Sequence, residues 1–212
     1  MSRRFGNRCT EHLLQAADSN FLTIISTSSA PFLLILTPQI MEHLQYPIGR
    51  FKYDEAFAQQ HIRSLIRDLK EFPTALQNRC KSMNHNDLLK VYRPDGWNVR
   101  QLIHHLGESH LNAYVRIKLA LTEDNPTIKP YKESLWVNTA ENATVPYTVS
   151  FQLLEAIHAK MTALLDSLSE ADFDRTYYHP DYKKTYSLRE LVSLYSWHGK
   201  HHIAHIDLAL RS

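Results

Sequence analysis

The residues of this 212-residue chain best suited to chemistry gather near its C-terminus. Four of its thirteen histidines fall within the stretch Trp197-His198-Gly199-Lys200-His201-His202-Ile203-Ala204-His205, inside a helical pattern. Residues four apart on an α-helix lie one turn above each other, so His198 and His202 can offer two imidazole nitrogens to one ion. His205 shares that face. At about 100° per residue, Leu191, Leu194, His198, His202, His205 and Ala209 occupy one narrow arc. An apolar stripe therefore runs into the histidines and turns them toward the interior, where an imidazole needs a metal or a hydrogen-bond partner. Core histidines satisfied by their neighbours are the alternative.

Two ligands do not complete a site. Zinc-like ions usually take three protein ligands and leave the fourth position to water when the site is catalytic, so another helix must contribute. An earlier helical segment carries His104, His105 and His110. The arc around His105 also holds Gln101, Glu108, Ser109, Asn112 and Arg116, bordered by Leu102, Leu106 and Ala113 on one side and Leu111, Val115 and Leu119 on the other. Such a stripe is ordinarily a solvated face. Facing the last helix, it would supply one histidine and line a pocket. A His-Glu-x-x-His protease is excluded because position 199 is Gly where that motif places its Glu base. A carboxylate-rich di-iron bundle fails for want of inward Glu-x-x-His pairs. Gly199 costs about 1 kcal/mol of helix propensity relative to Ala, which points to a close backbone or substrate approach.

Positioning these residues requires long helices. From Tyr53 onward apolar residues recur three and four apart. A first helix is predicted over 54–80, bending or restarting near Pro73. A second follows Pro94-Asp95-Gly96, opened by the capping pair Asn98 and Gln101, and runs to about 122. The polar, Pro-containing connection 123–146 is too long for a tight helical hairpin. A third helix spans about 149–168. After the turn Tyr178-His179-Pro180-Asp181, Ser187-Leu188-Arg189-Glu190 reads as a capping box opening a fourth helix to about 210. The expected fold class is all-α, a four-helix bundle with a long crossover connection and no convincing sheet.

Composition bounds the rest. The length and the 43% hydrophobic content suit one domain with a sizeable core. A net charge of +2, from 24 basic and 22 acidic residues without a long run of either sign, gives no electrostatic case for nucleic acid. Small neutral or anionic molecules are the expected partners. Cys9 and Cys80 match no metal or redox spacing, and a reducing cytoplasm is the expected compartment. Residues 1–40 differ from the remainder: Arg3, Arg4 and Arg8 precede an apolar stretch, 21–36, broken by a Ser/Thr-rich patch and Pro31. That stretch lacks a clear cleavage site and falls short of the about 20 apolar residues of a membrane span. Residues 1–40 are therefore expected to be an upstream extension from an early start assignment, with 41–212 as the domain. A signal segment or membrane anchor is the alternative.

From Tyr46 to the end the chain resembles the YfiT-type proteins of the DinB-like superfamily, which are provisionally named metal-dependent hydrolases. The matching stretches are Tyr46-Pro47-Ile48-Gly49, Gly96-Trp97, Val99-Arg100-Gln101, His104-His105-Leu106, Ser109-His110, Asn112, Tyr114, Arg116, Lys118 and Leu121-Thr122-Glu123. Tyr178-His179-Pro180-Asp181 and Trp197-His198 through His205 complete the set. The resemblance implies a DinB-like four-helix bundle, commonly a homodimer, with one divalent ion per subunit held by His105, His198 and His202. Zinc is the expected ion, with nickel or manganese as alternatives. It implies a hydrolase that activates water against a small molecule. Members also include thiol S-transferases of the bacillithiol type, for which a low-molecular-weight thiol would be a further partner. Glu108, about one turn from His105, is the candidate base, and Asn112 and Arg116 are candidate substrate-binding residues. This chain departs from close relatives at Gly107-Glu108, where they have Ala-Asp, and at Gly199-Lys200, where some carry Ser-His.

Overall fold

A computed structural model describes residues 38–211. Residues 1–37, which hold most of the segment read as an upstream extension, and Cys9 with them, lie outside the described residues. The order is α1 (Pro38–Gln45), α2 (Glu55–Cys80), α3 (Val99–Thr122), α4 (Glu133–Trp136), α5 (Ala140–Thr144), α6 (Thr148–Asp166), β1 (Thr176–His179), β2 (Lys184–Ser187) and α7 (Leu188–Arg211). The four long helices form the expected four-helix bundle, and none of the described helices is long and apolar enough to cross a membrane.

Local chemistry sets the helix starts. The Asp54 side chain accepts from the Phe57 amide at 2.9 Å, capping α2. Asn98 and Gln101 form the reciprocal capping box of α3, with bonds of 2.9 and 3.0 Å. At α7 the Ser187 hydroxyl accepts from the Glu190 amide as expected, but the Glu190 carboxylate turns to the Lys184 ammonium instead of closing the box. Lys184 belongs to a two-stranded antiparallel hairpin, β1 paired with β2, that the sequence reading did not foresee. Its strands are four residues each, too short for alternation to register, and the Tyr178-His179-Pro180-Asp181 turn is the first strand's end running into the hairpin turn. The restart expected near Pro73 is also absent. α2 runs unbroken through a buried Pro73, since apolar burial of Phe72 and Leu76 on either side holds the helix together against the loss of one backbone bond.

Helix contacts join α2 to α6 and α7, and α3 to the same two. Consecutive helices α2 and α3 therefore stand across a diagonal, as do α6 and α7. Phe72 meets Gly199 and Arg79 pairs with Asp207, so α2 and α7 run parallel. His104 meets Ser150 and His110 meets His158, so α3 and α6 are parallel too. A chain leaving α3 must travel back the length of the bundle before entering a parallel neighbour, which is why the long connection carrying α4 and α5 exists. Two apolar clusters fill the interior. One contains Ile66, Leu69, Ile117, Met161, Leu165 and Leu191. The other contains Phe72, Leu76, Leu102, Ile103, Leu154 and Ile206. His110 lies where these clusters meet, against Phe72 of one and Tyr195 of the other.

Candidate metal centre

Antiparallel packing of α3 against α7 brings His105 opposite His198 and His202. One ring nitrogen from each lies within 4.8 Å of the others. The Nε2 atoms of His105 and His198 are 3.4 Å apart, and those of His202 and His198 are 3.1 Å apart. Zinc–nitrogen bonds of about 2.0–2.1 Å at the tetrahedral angle place ligand nitrogens about 3.3 Å from one another. The donor set therefore fits one late first-row ion, and the fold brings together the three histidines for which the resemblance implied that role. Trp97 lies over His105, with ring centroids 4.6 Å apart.

Burial makes all three rings poor bases. It holds His105 down to about 3, with the nearby His201 adding to the shift. Burial also depresses His198 and His202 well below the ordinary imidazole value, and the other imidazoles reinforce it. Three neutral rings at neutral pH are three lone-pair donors, which is the state a metal needs.

Each ligand ring has a different environment behind it. His198 Nδ1 lies 3.3 Å from His110 Nε2, and His202 Nδ1 lies 3.3 Å from His205 Nδ1. His105 Nδ1 is buried and has no hydrogen-bond partner. His110 and His205 thus sit behind the three converging rings and not beside them. Among the described residues the convergent set is three histidines.

The other candidates are placed differently. Glu108 is half-buried; its Oε1 accepts from the Asn142 amide of α5 at 3.0 Å, and its Oε2 is buried without a partner. Burial raises its carboxyl above the ordinary value against the pull of the Asn142 bond. It does not join the convergent set. Asn112 turns its amide back to the Glu108 carbonyl at 2.9 Å. Arg116 reaches the Tyr195 hydroxyl at 3.4 Å, and the Tyr195 ring lies 5.5 Å from that of His198, so the guanidinium connects to the centre through a phenol. Tyr195, His110, His158 and His205 were not singled out for roles of this kind by the sequence reading. His158 stands alone between apolar residues of α6, where spacing carries no signal.

Gly199 is explained by Phe72. A Cβ at position 199 would stand 2.7 Å from Phe72 Cδ2, and the Phe72 ring is itself stacked on His110 at 5.0 Å. The close approach is to protein, and it leaves no space for a glutamate there.

Comparison with known proteins identifies the family and the fold. The family model of the DinB superfamily matches residues 68–206. A protein of Oceanobacillus iheyensis, provisionally named a metal-dependent hydrolase, is 43% identical over 162 residues, spanning 76% of this chain and 93% of its own length. A Bacillus cereus protein of the same provisional name is 43% identical over 166 residues, spanning 78% and 95%. The solved structure of YfiT from Bacillus subtilis, described as a "probable metal-dependent hydrolase with an unusual four-helix bundle topology", superposes with a TM-score of 0.77 at 41% identity, covering 80% of this chain and 97% of that one. From its sequence, its bundle and its histidine set, this chain belongs to the DinB superfamily.

Proposed function

We propose that the protein is a metal-dependent hydrolase of small molecules whose single divalent ion, zinc before nickel or manganese, is held by His105, His198 and His202. The convergence of three Nε2 atoms carries this reading. When bound, such an ion supplies a Lewis acid and brings a coordinated water to a pKa of about 7, because three neutral ligands leave its charge largely unquenched. The chain's own residues do the rest. Trp97 packs its ring against that of His105. Glu108, raised by burial and held by Asn142, keeps a proton on its otherwise unpartnered oxygen into a higher pH range than a solvated carboxyl and is the group suited to moving one. Arg116, with Tyr195 between it and His198, is suited to orienting an anionic part of the substrate.

A second reading keeps the centre and changes the reaction to thiol S-transfer, with a low-molecular-weight thiol attacking a small electrophile. It rests on the same three-histidine donor set, since an ion held by neutral imidazoles can ionise a thiol as it ionises a water. One experiment separates the two. Tag-free protein loaded with zinc, nickel or manganese is assayed on ester, amide and phosphoester panels, and on a chromogenic electrophile with and without an added thiol. Metal-dependent hydrolysis without thiol supports the first reading; conjugation only with thiol supports the second. Inactivity in both assays contradicts both.

A further inference from the structure

Behind His198 a line of hydrogen bonds crosses the whole bundle. His198 Nδ1 lies 3.3 Å from His110 Nε2, His110 Nδ1 lies 2.8 Å from His158 Nε2, and His158 Nδ1 lies 2.5 Å from the Leu69 carbonyl oxygen. The four groups come from α7, α3, α6 and α2, one from each long helix.

The far end of the line determines every proton in it. In a regular helix the Leu69 carbonyl would accept from the amide of residue 73. Residue 73 is proline and has no N–H, so this buried carbonyl is left open inside an otherwise unbroken α2. A carbonyl can only accept, so His158 must donate from Nδ1. A neutral His158 then has a bare Nε2, which accepts from His110 Nδ1–H. His110 Nε2 is bare in turn and accepts from His198 Nδ1–H. The outcome is a His198 whose Nε2, the atom facing His105 and His202, carries a lone pair. His202 is fixed by the same logic from α1. The Gln45 carbonyl accepts from His205 Nε2 at 3.1 Å, so His205 Nδ1 accepts from His202 Nδ1–H and leaves His202 Nε2 bare. Two bare acceptors 3.1 Å apart repel each other unless a cation lies between them.

We infer that His158 and His110, anchored on the carbonyl that Pro73 leaves open, and His205, anchored on Gln45, are positioning residues that lock His198 and His202 into the tautomer whose Nε2 binds the metal. This deepens the metal reading above and rests on it. The relay stores the required tautomers in the fold, so an arriving ion meets lone pairs without first moving a proton between nitrogens. Without His158, the buried His110 Nδ1–H has no acceptor. The favoured arrangement then places the His110 proton on Nε2, which donates to His198 Nδ1 and drives the His198 proton onto the metal-facing Nε2.

The test pairs nitrogen NMR of the imidazole rings with zinc affinity. In metal-free protein, at a pH above the ordinary imidazole value, His158, His110 and His198 should each carry hydrogen on Nδ1, and His205 on Nε2. His158→Leu should move the His198 proton to Nε2 and weaken zinc binding about 10–100-fold in a chelator competition. His158→Gln, whose amide can donate to Leu69 and accept from His110, should keep the wild-type tautomer and affinity. Nε2–H on His158 or His110 in the wild type overturns the inference, whether or not His158→Leu folds. So does a folded His158→Leu that binds zinc as tightly as the wild type, or a folded His158→Gln that loses as much as His158→Leu. A wild type that binds no zinc contradicts the metal reading, and the tautomers still decide the relay.

Discussion

At the scale of single residues, two positions carry constraints their chemistry alone does not suggest. Gly199 is a contact surface for Phe72, and Phe72 is stacked on His110, so a shift of the ring would disturb that stacking. Gly199→Ala should gain helix propensity yet lose about 1–3 kcal/mol of stability to overpacking, read as a lower denaturant midpoint with an unchanged slope. Glu108 is the complementary case. Glu108→Gln preserves the acceptor for Asn142 and removes the titrating group, so it should leave zinc affinity within about threefold while lowering turnover about 10²-fold or more, if a proton passes through it. The two assays are separable because Glu108 is not among the converging ligand atoms. The histidines differ in how far they could be read in advance. His198 and His202 were legible from an i, i+4 pair at the end of an apolar stripe, whereas choosing His105 over His104 or His110 required the family resemblance. His158, His110 and His205 were not legible as a relay, because hydrogen bonds between histidines of different helices leave no spacing in the chain. The one available signal was Pro73, a residue that opens a carbonyl wherever it lies inside a helix.

At the scale of elements, the helices were largely set by local chemistry. The Asn98–Gln101 box placed the start of α3 within a residue, since capping is a contest among neighbouring groups that the sequence displays directly, and residue 54, where periodicity put the start of the first helix, is the cap of α2. The β1–β2 hairpin was missed for the opposite reason. Four-residue strands are defined by their pairing, and Glu190, which has the spacing of a capping partner, is taken by Lys184 across the hairpin. α2 offers the sharpest test at this scale. Pro73→Ala returns an amide to the Leu69 carbonyl, in competition with His158. Because a carbonyl has two lone pairs, zinc affinity should fall by less than it does in His158→Leu, within about tenfold, in the same chelator competition. Unchanged affinity would mean that the open carbonyl is incidental.

At the scale of the whole molecule, the bundle stores a set of neutral imidazoles in its interior, and that makes its stability depend on pH. Burial lowers His158 from the ordinary 6.5 to about 4. It lowers His205 to about 3, with His201 contributing. The unfolded chain binds protons at these positions below about pH 6.5 while the folded chain does not, so stability from this source is full above that value. It is lost as pH falls through 6.5 toward 4 and below. Thermal melts of chelated protein should show a midpoint falling steadily across that interval, and zinc should raise the midpoint throughout it, since burial keeps the three converging imidazoles of the folded chain neutral there. A midpoint that is flat between pH 7 and about pH 4 would contradict the account of buried neutral histidines. The diagonal placement of α2 and α3 gives this interior its reach, since each of the four long helices then adds a group to one connected line.

The most direct measurement is a zinc titration of tag-free protein and of its His105→Ala variant, with bound metal determined by elemental analysis after dialysis. His105 is the proposed ligand that comes from a different helix, so it distinguishes a centre built across the bundle from a pair of histidines on α7 alone. The expected result is one tightly held ion per chain in the wild type, and an affinity at least about 10²-fold weaker in a variant that keeps its helical content. Equal occupancy of the two proteins at limiting zinc would contradict the three-histidine centre.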